Sequence, residues 1–305
     1  VKTTEAAVQK AYETVRKSAP SGEVATYIPE LARINPDLLA ISVIDLQGNQ
    51  CSYGDAETQF TLQSVSKAFS LALVLQENAA AVFDTVGFEP TGNPFFSMLP
   101  MESEHGKPRN PFVNSGAIAV SSMIPGGNAK SSYANFLGFL EQICEEKPVM
   151  DVDTHRSESE TGYRNRAMAN FLKQYGWIED VDTAVETYFM QCSTLTNVRQ
   201  LARMGLFLAN RGIDPLTQKR IVDEESCRAI VTLMTTCGTY DYAGRVAIEI
   251  GLPCKSGVSG GILAIVPGKM SIAAFAPRLG THGNSEAGME LLKLISEELS
   301  LSLFQ

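Results

Sequence analysis

The chain has 305 residues, 44% of them apolar, which suits one large domain or two subdomains and is enough for a sizeable buried core. A net charge of -9 with no lysine/arginine block argues against a nucleic-acid partner and leaves a small molecule as the expected ligand. No run of about 18 apolar residues is present to cross a bilayer, and the opening stretch from Val1 to Val8 lacks the apolar core of a signal peptide, so no membrane association and a cytoplasmic location are expected.

Residues 5–18 carry apolar positions at helical spacing and predict an amphipathic helix. Residues 38–45 and 50–53, on either side of Gly48-Asn49, predict a hairpin. Near Thr61 the period becomes helical, with Val65, Ala68, Phe69, Ala72 and Leu75 on a mostly apolar stripe and Ser64 in the first turn. Onward to about Thr236 the chain reads as helix and loop, with helices over 133–145, 164–175, 182–192, 197–211 and 224–234. Gly and Pro punctuate the gaps, as in Pro90-Thr91-Gly92-Asn93-Pro94. After Cys237 alternation returns, and 245–250, 261–266 and 271–276 predict strands of an antiparallel meander. A last helix is predicted over 284–301, with Asn284 or Ser285 as its N-cap.

Strands at both ends with helices between them imply an α+β fold: an antiparallel sheet built from both chain ends, flanked by helices, with a mostly helical insert. The expected division is 1–63 plus 238–305 for the sheet-containing part and 64–237 for the helical part, within a single catalytic domain spanning 1–305. Ser64 then lies at the seam, where ligand clefts favour forming.

The chemistry-bearing pattern is Gln63-Ser64-Val65-Ser66-Lys67. Positions three apart share a helix face, so the Ser64 hydroxyl and Lys67 amine can meet as nucleophile and base. Ser66 points elsewhere, and Ser70, also three from Lys67, is a turn further in, where its N–H is used by the helix. A helix start also leaves backbone N–H groups that can hold an oxyanion, although a serine there can equally be no more than a cap. Far downstream, Lys255-Ser256-Gly257-Val258 precedes a clear strand, and its small residues allow close backbone approach to a ligand.

Six cysteines without Cys-x-x-Cys spacing and three histidines (His105, His155, His282) make a disulfide framework or a metal site improbable, and lysine or tyrosine the better candidate base. Gly126-Gly127-Asn128-Ala129-Lys130-Ser131 lacks the glycine before lysine of a phosphate loop. Asp151-Val152-Asp153 begins like a calcium loop, but Arg156 and Gly162 stand where glycine and glutamate are required.

Nearly the whole chain resembles the serine-dependent glutaminase family. The resemblance is carried by Tyr27-Ile28-Pro29-Glu30-Leu31-Ala32, Gln63-Ser64-Val65-Ser66-Lys67, Asn110-Pro111-Phe112-Val113-Asn114-Ser115-Gly116-Ala117-Ile118, and Ser157-Glu158 followed by Arg164-Asn165. It continues through Tyr188-Phe189-Met190-Gln191-Cys192-Ser193, Cys237-Gly238-Thr239-Tyr240-Asp241 and Gly251-Leu252-Pro253-Cys254-Lys255-Ser256-Gly257-Val258. The resemblance implies a serine β-lactamase-like fold and hydrolysis of L-glutamine to L-glutamate and ammonia, with no cofactor or metal.

It further implies Ser64 as nucleophile, Lys67 as its base, Tyr240 as proton relay, and the Ser64 and Val258 N–H groups as oxyanion hole. Tyr27, Asn114, Glu158, Asn165 and Tyr188 would hold the amino-acid end of the substrate, with Glu158 facing its ammonium. A lysine base must be neutral, so burial and neighbouring cations are expected to lower the Lys67 pKa, with Lys255 available as such a cation. Similar proteins assemble as homodimers or homotetramers. Alanine often stands at the position of Cys254 and the residue at Ser259 varies, neither touching a proposed catalytic atom. The rival readings are a penicillin-recognising acyl-serine enzyme, weakened by the absence of a Ser-Asp-Asn motif, and a silent amino-acid sensor, which would need a missing catalytic residue.

Overall fold

The computed structural model describes residues 3–18, 21–144 and 146–304. Its centre is a five-stranded antiparallel sheet in the order β3-β2-β8-β7-β6, from β2 (Ala40–Asp45), β3 (Gln50–Gly54), β6 (Cys254–Ser256), β7 (Gly261–Val266) and β8 (Met270–Phe275). Strand β2 pairs with β8, Ile41 opposite Ala274, so the two chain ends share one sheet. Short pairs flank it: β1 (Glu23–Val24) with β9 (Arg278–Leu279), and β4 (Phe60–Thr61) with β5 (Leu195–Thr196).

Both faces of the sheet are covered, which is why β7 and β8 are buried at every residue instead of alternating apolar and polar. Ile262, Ala264, Ile272 and Ala274 pack with Val8, Ala11 and Val15 of α1 (Thr4–Lys17) and Leu291 and Ile295 of α13 (Glu286–Leu299). Leu263, Ile265, Ala273 and Phe275 join the larger cluster that runs into the helices on the opposite face. Those helices include α2 (Ser66–Thr85), α4 (Asn114–Ser122), α5 (Ala129–Cys144), α6 (Val152–Thr161), α7 (Tyr163–Gln174), α8 (Val181–Cys192) and α11 (Glu224–Cys237); α3 (Leu99–Ser103) is a single turn. Helix α1 is capped by the Thr3 hydroxyl and α13 by that of Ser285, each contributing about 1 kcal/mol. No described helix is long and apolar enough to cross a membrane.

Several expectations are corrected. Residues 245–249 are helical, within α12 (Ala243–Glu249), with Ile250 as its C-cap, and 245–250 is not a strand. The alternation there is that of a short amphipathic helix with Val246 inward and Ile248 outward, and six residues do not distinguish the two periods. The single helix over 197–211 is broken at Gly205 into α9 (Val198–Met204) and α10 (Leu206–Ala209). A side chain at Gly205 would meet the Ser271 hydroxyl and Leu263, so the break is where the helix crosses the sheet closely. Lys255 precedes the strand at 261–266, as expected, and itself lies on the short strand β6 beside it. The predicted end of the 133–145 helix, Glu145, lies outside the described residues; the helix is described to Cys144.

Candidate active site

Ser64 stands in a 3-10 turn, Gln63–Val65, that runs directly into α2, not in the first turn of the α-helix itself. Gln63 enters this turn at φ 46°, a left-handed conformation costly for a residue with a Cβ. The turn faces the end of β6 because Gly257 has no side chain: a Cβ there would sit 2.9 Å from the Leu62 carbonyl oxygen. Val258 follows Gly257 and packs with Ala25, Ile28 and Leu31. Among the described residues neither the Ser64 nor the Val258 N–H is donated to a backbone carbonyl or a side chain. Gly257→Ala is expected to lower catalytic activity by about 10- to 100-fold with the fold retained, by pushing the end of β6 away from the Ser64 turn; equal rates in wild type and variant would show that this approach does not matter to activity.

Lys67 is buried, and its Nζ donates to the Phe112 carbonyl at 3.0 Å and to Asn114 Oδ1 at 2.7 Å. Burial brings its pKa down to about 8, against the opposing pull of nearby Cys192 and Glu158. The two acceptors match the two N–H bonds of a neutral amine and leave its lone pair. Lys255, fully buried, donates to Gly238 O at 2.9 Å and Ser256 O at 2.6 Å and lies 4.6 Å from the Tyr240 ring centroid. Its pKa is pushed well down by burial and then by Lys67. Burial is the first cause for both lysines, as expected for Lys67, and the repulsion between Lys67 and Lys255 belongs to the pair.

Tyr240 also has a left-handed backbone, φ 63°, and its hydroxyl donates to Ser256 O at 3.1 Å. With that proton committed, it receives the hydrogen bond it shares with the Ser64 hydroxyl. Burial raises its pKa to about 12, so it is a phenol near neutrality. Lys255 and Tyr240 thus meet on one carbonyl, and Lys255 pins the Gly238 end of the turn that carries Tyr240. Phe95 packs on the Tyr240 ring, centroids 4.3 Å apart, and its carbonyl accepts from the Asn114 N–H.

In front of Ser64 lies a cavity of about 410 Å³ lined by Tyr27, Gln63, Ser64, Asn114, Glu158, Asn165 and Tyr188, with Phe95, Phe96 and Arg164 towards its rim. Glu158, on α6, is 5% exposed and accepts from Gln63 Nε2 at 2.8 Å. Burial raises its pKa to about 7, with the Gln63 bond and Lys67 pulling the other way. Asn114 bridges the site: its Oδ1 accepts from Lys67 and from the Tyr188 hydroxyl at 3.3 Å, and its Nδ2 donates to Asn165 Oδ1 at 3.0 Å. Tyr27 is 57% exposed overall, but its hydroxyl end is buried beside Glu158, and both effects raise its pKa. Tyr188 is raised too, by burial first and then by Cys192 and Glu158.

The sequence-predicted residues therefore meet at one place, with two qualifications of detail. Val258 lines the adjoining groove of about 840 Å³, not the cavity in front of Ser64. The hydrogen bonds of Lys67 run to Phe112 and Asn114, while that of Ser64 runs to Tyr240. Sequence reasoning passed over Gln63, whose adjacency to Ser64 was the available signal, and Phe112, whose contribution is a backbone carbonyl that no side-chain motif announces. Of the two N-cap candidates Asn284 and Ser285, Ser285 is the cap, while Asn284 is buried, accepts from Ser256 Oγ at 2.6 Å and so buttresses β6.

Comparison with known proteins gives a consistent result. The family model described as Glutaminase matches residues 22–304. A glutaminase of Methylobacterium radiotolerans is 43% identical over 300 residues, 97% of each chain. Glutaminase 2 of Clostridium perfringens is 43% identical over 96% of this chain and 97% of its own. The solved structure of the probable glutaminase ybaS superposes with a TM-score of 0.95 at 38% identity, covering 99% of this chain and 98% of the other. A probable glutaminase from Bacillus subtilis, complexed with 6-diazo-5-oxo-L-norleucine, gives a TM-score of 0.89 at 32% identity over 100% and 98% of the two chains. With a family model spanning almost all of it and relatives matched end to end, the chain belongs to the glutaminase family.

Proposed function

We propose that this chain hydrolyses L-glutamine to L-glutamate and ammonia through a γ-glutamyl ester on Ser64. The observation that carries the reading is a buried serine hydroxyl on the wall of a cavity that also carries a buried carboxylate, Glu158, with a lysine of lowered pKa three residues along the chain from that serine. Glutamine matches that arrangement: an ammonium for Glu158, a carboxylate for the amide and hydroxyl donors of Asn165, Tyr27 and Tyr188, and a side-chain amide for Ser64.

In the first half-reaction the neutral Lys67 amine takes the Ser64 proton as Oγ bonds to the amide carbon. The oxyanion is held by the Ser64 and Val258 N–H groups. The Lys67/Tyr240 pair returns a proton to the leaving nitrogen, the carbon–nitrogen bond breaks and ammonia departs. In the second, a water gives its proton to the same pair, its oxygen attacks the ester, and Ser64 regains its hydroxyl as glutamate forms. Tyr240, raised to about 12, serves as a hydroxyl relay and not as a phenolate. Lys255 positions Tyr240. On the family resemblance the proposed assembly is a cytoplasmic homodimer or homotetramer.

A related structure is of a covalent complex between Bacillus subtilis glutaminase YbgJ and 5-oxo-L-norleucine, formed by reaction with 6-diazo-5-oxo-L-norleucine. The same reagent tests the proposal here. One adduct per chain, mapped to Ser64 by mass spectrometry and forming in step with loss of glutamate production from glutamine, is expected. An adduct on another residue, or one that forms equally in Ser64→Ala protein, defeats it.

A further inference from the structure

The cation Arg164 is unexplained by the fold. It occupies the first turn of α7, where the helix dipole disfavours a positive charge, so helix stability does not account for it. The helix has no side-chain cap at its N-cap residue, Gly162. Among the described residues no carboxylate lies within ion-pair distance of Arg164; its one close partner is the ring of Phe96, with the guanidinium carbon 5.0 Å from the centroid. Phe96 and Arg164 both line the cavity in front of Ser64, and the next residue, Asn165, is hydrogen-bonded to Asn114 inside it.

A planar guanidinium stacked on a ring keeps its edge N–H groups free for a carboxylate. The cavity thus has a buried anionic group, Glu158, and an exposed cation, Arg164, at its rim. A zwitterionic amino acid is the ligand whose two charges fit such a pair. We infer that Arg164 is a specificity-determining residue that draws the substrate's α-carboxylate to the mouth of the cavity, with Phe96 as the platform that holds the guanidinium in place. The inference rests on the glutamine reading of this site, and its test separates the two, because glutamine turnover by the unaltered protein is measured first.

The experiment compares wild type, Arg164→Gln and Arg164→Lys. KM and kcat are measured for glutamine, and inhibition constants for 4-aminobutanamide, which lacks the α-carboxylate, and for 5-amino-5-oxopentanoate, which lacks the ammonium. In Arg164→Gln the glutamine KM is expected to rise about five- to tenfold with kcat within about twofold, as befits loss of one solvent-facing charged contact. Binding of 5-amino-5-oxopentanoate weakens by a similar factor, that of 4-aminobutanamide does not change, and Arg164→Lys recovers only part of the glutamine effect, since it restores the charge but not the planar stack on Phe96. An unchanged KM in Arg164→Gln, equal weakening of both analogues, or a fall in kcat without a change in KM overturns the inference. Absence of glutamine turnover in the wild type overturns instead the reading on which it rests.

Discussion

Ser64→Ala protein is expected to release ammonia from glutamine at least about 10⁴-fold more slowly than the unaltered chain, the scale of losing the nucleophile from an acyl-serine mechanism. The substitution removes the atom that bonds to the substrate and leaves the groups around the cavity, including Glu158 and Asn165, where they are. Glutamine binding, measured by calorimetry, should therefore persist within a few-fold. Folding should persist as well, since the lost hydrogen bond is one to Tyr240, whose own donor stays on Ser256 O, and a single such bond is worth about 1 kcal/mol. Ammonia release by the variant at a rate comparable to wild type would sink the proposed mechanism, and loss of binding in step with loss of rate would show that the site had collapsed.

Lys67→Met is the second large effect: about a 10³-fold fall in kcat/KM, from removal of the proposed general base. The pH profile supplies the sign. Only the neutral amine accepts a proton, so wild-type kcat/KM should climb as pH is raised through about 8. Only ionised Glu158 attracts the substrate ammonium, so a further loss should appear as pH falls through about 7. In Lys67→Met the upper step disappears and the lower one remains. Methionine fills a similar volume without a charge to bury, so thermal melting should be no lower than wild type. A variant that keeps the step near pH 8 would assign that titration to another group and remove Lys67 as the base.

How much of this was legible in the chain differs from residue to residue. That both chain ends contribute to one sheet was legible from the strand signals at the two ends, and Ser64 and Lys67 stand out by their spacing, whereas Glu158, Asn165 and Tyr188 come from the resemblance to the glutaminase family. What could not be read depends on distance. The 245–250 stretch is too short for its period to tell helix from strand, and its neighbours decided the matter. The acceptors that hold the two buried lysines, the Phe112, Gly238 and Ser256 carbonyls, are backbone groups brought up by packing, which no side-chain motif announces. The left-handed backbones of Gln63 and Tyr240 are likewise imposed by surroundings, since neither residue type favours that conformation.

The buried lysines also bear on how the folded chain answers to acidity. A lysine whose pKa is lowered by folding binds a proton less readily in the native state than in the unfolded one, so the unfolded chain holds the extra proton across the interval between the two pKa values. For Lys67 that interval runs from about 8 up to the ordinary lysine range, and stability from this residue rises with pH across it, the penalty being complete below about 8. Lys255, lowered further, extends the same trend to lower pH. Glu158 works in the opposite sense: its carboxyl is raised to about 7, so its ionisation subtracts stability as pH climbs from the ordinary glutamate range to there. Resistance to denaturant contributed by these three residues should therefore improve on the alkaline side of neutrality, under the same conditions that leave Lys67 unprotonated.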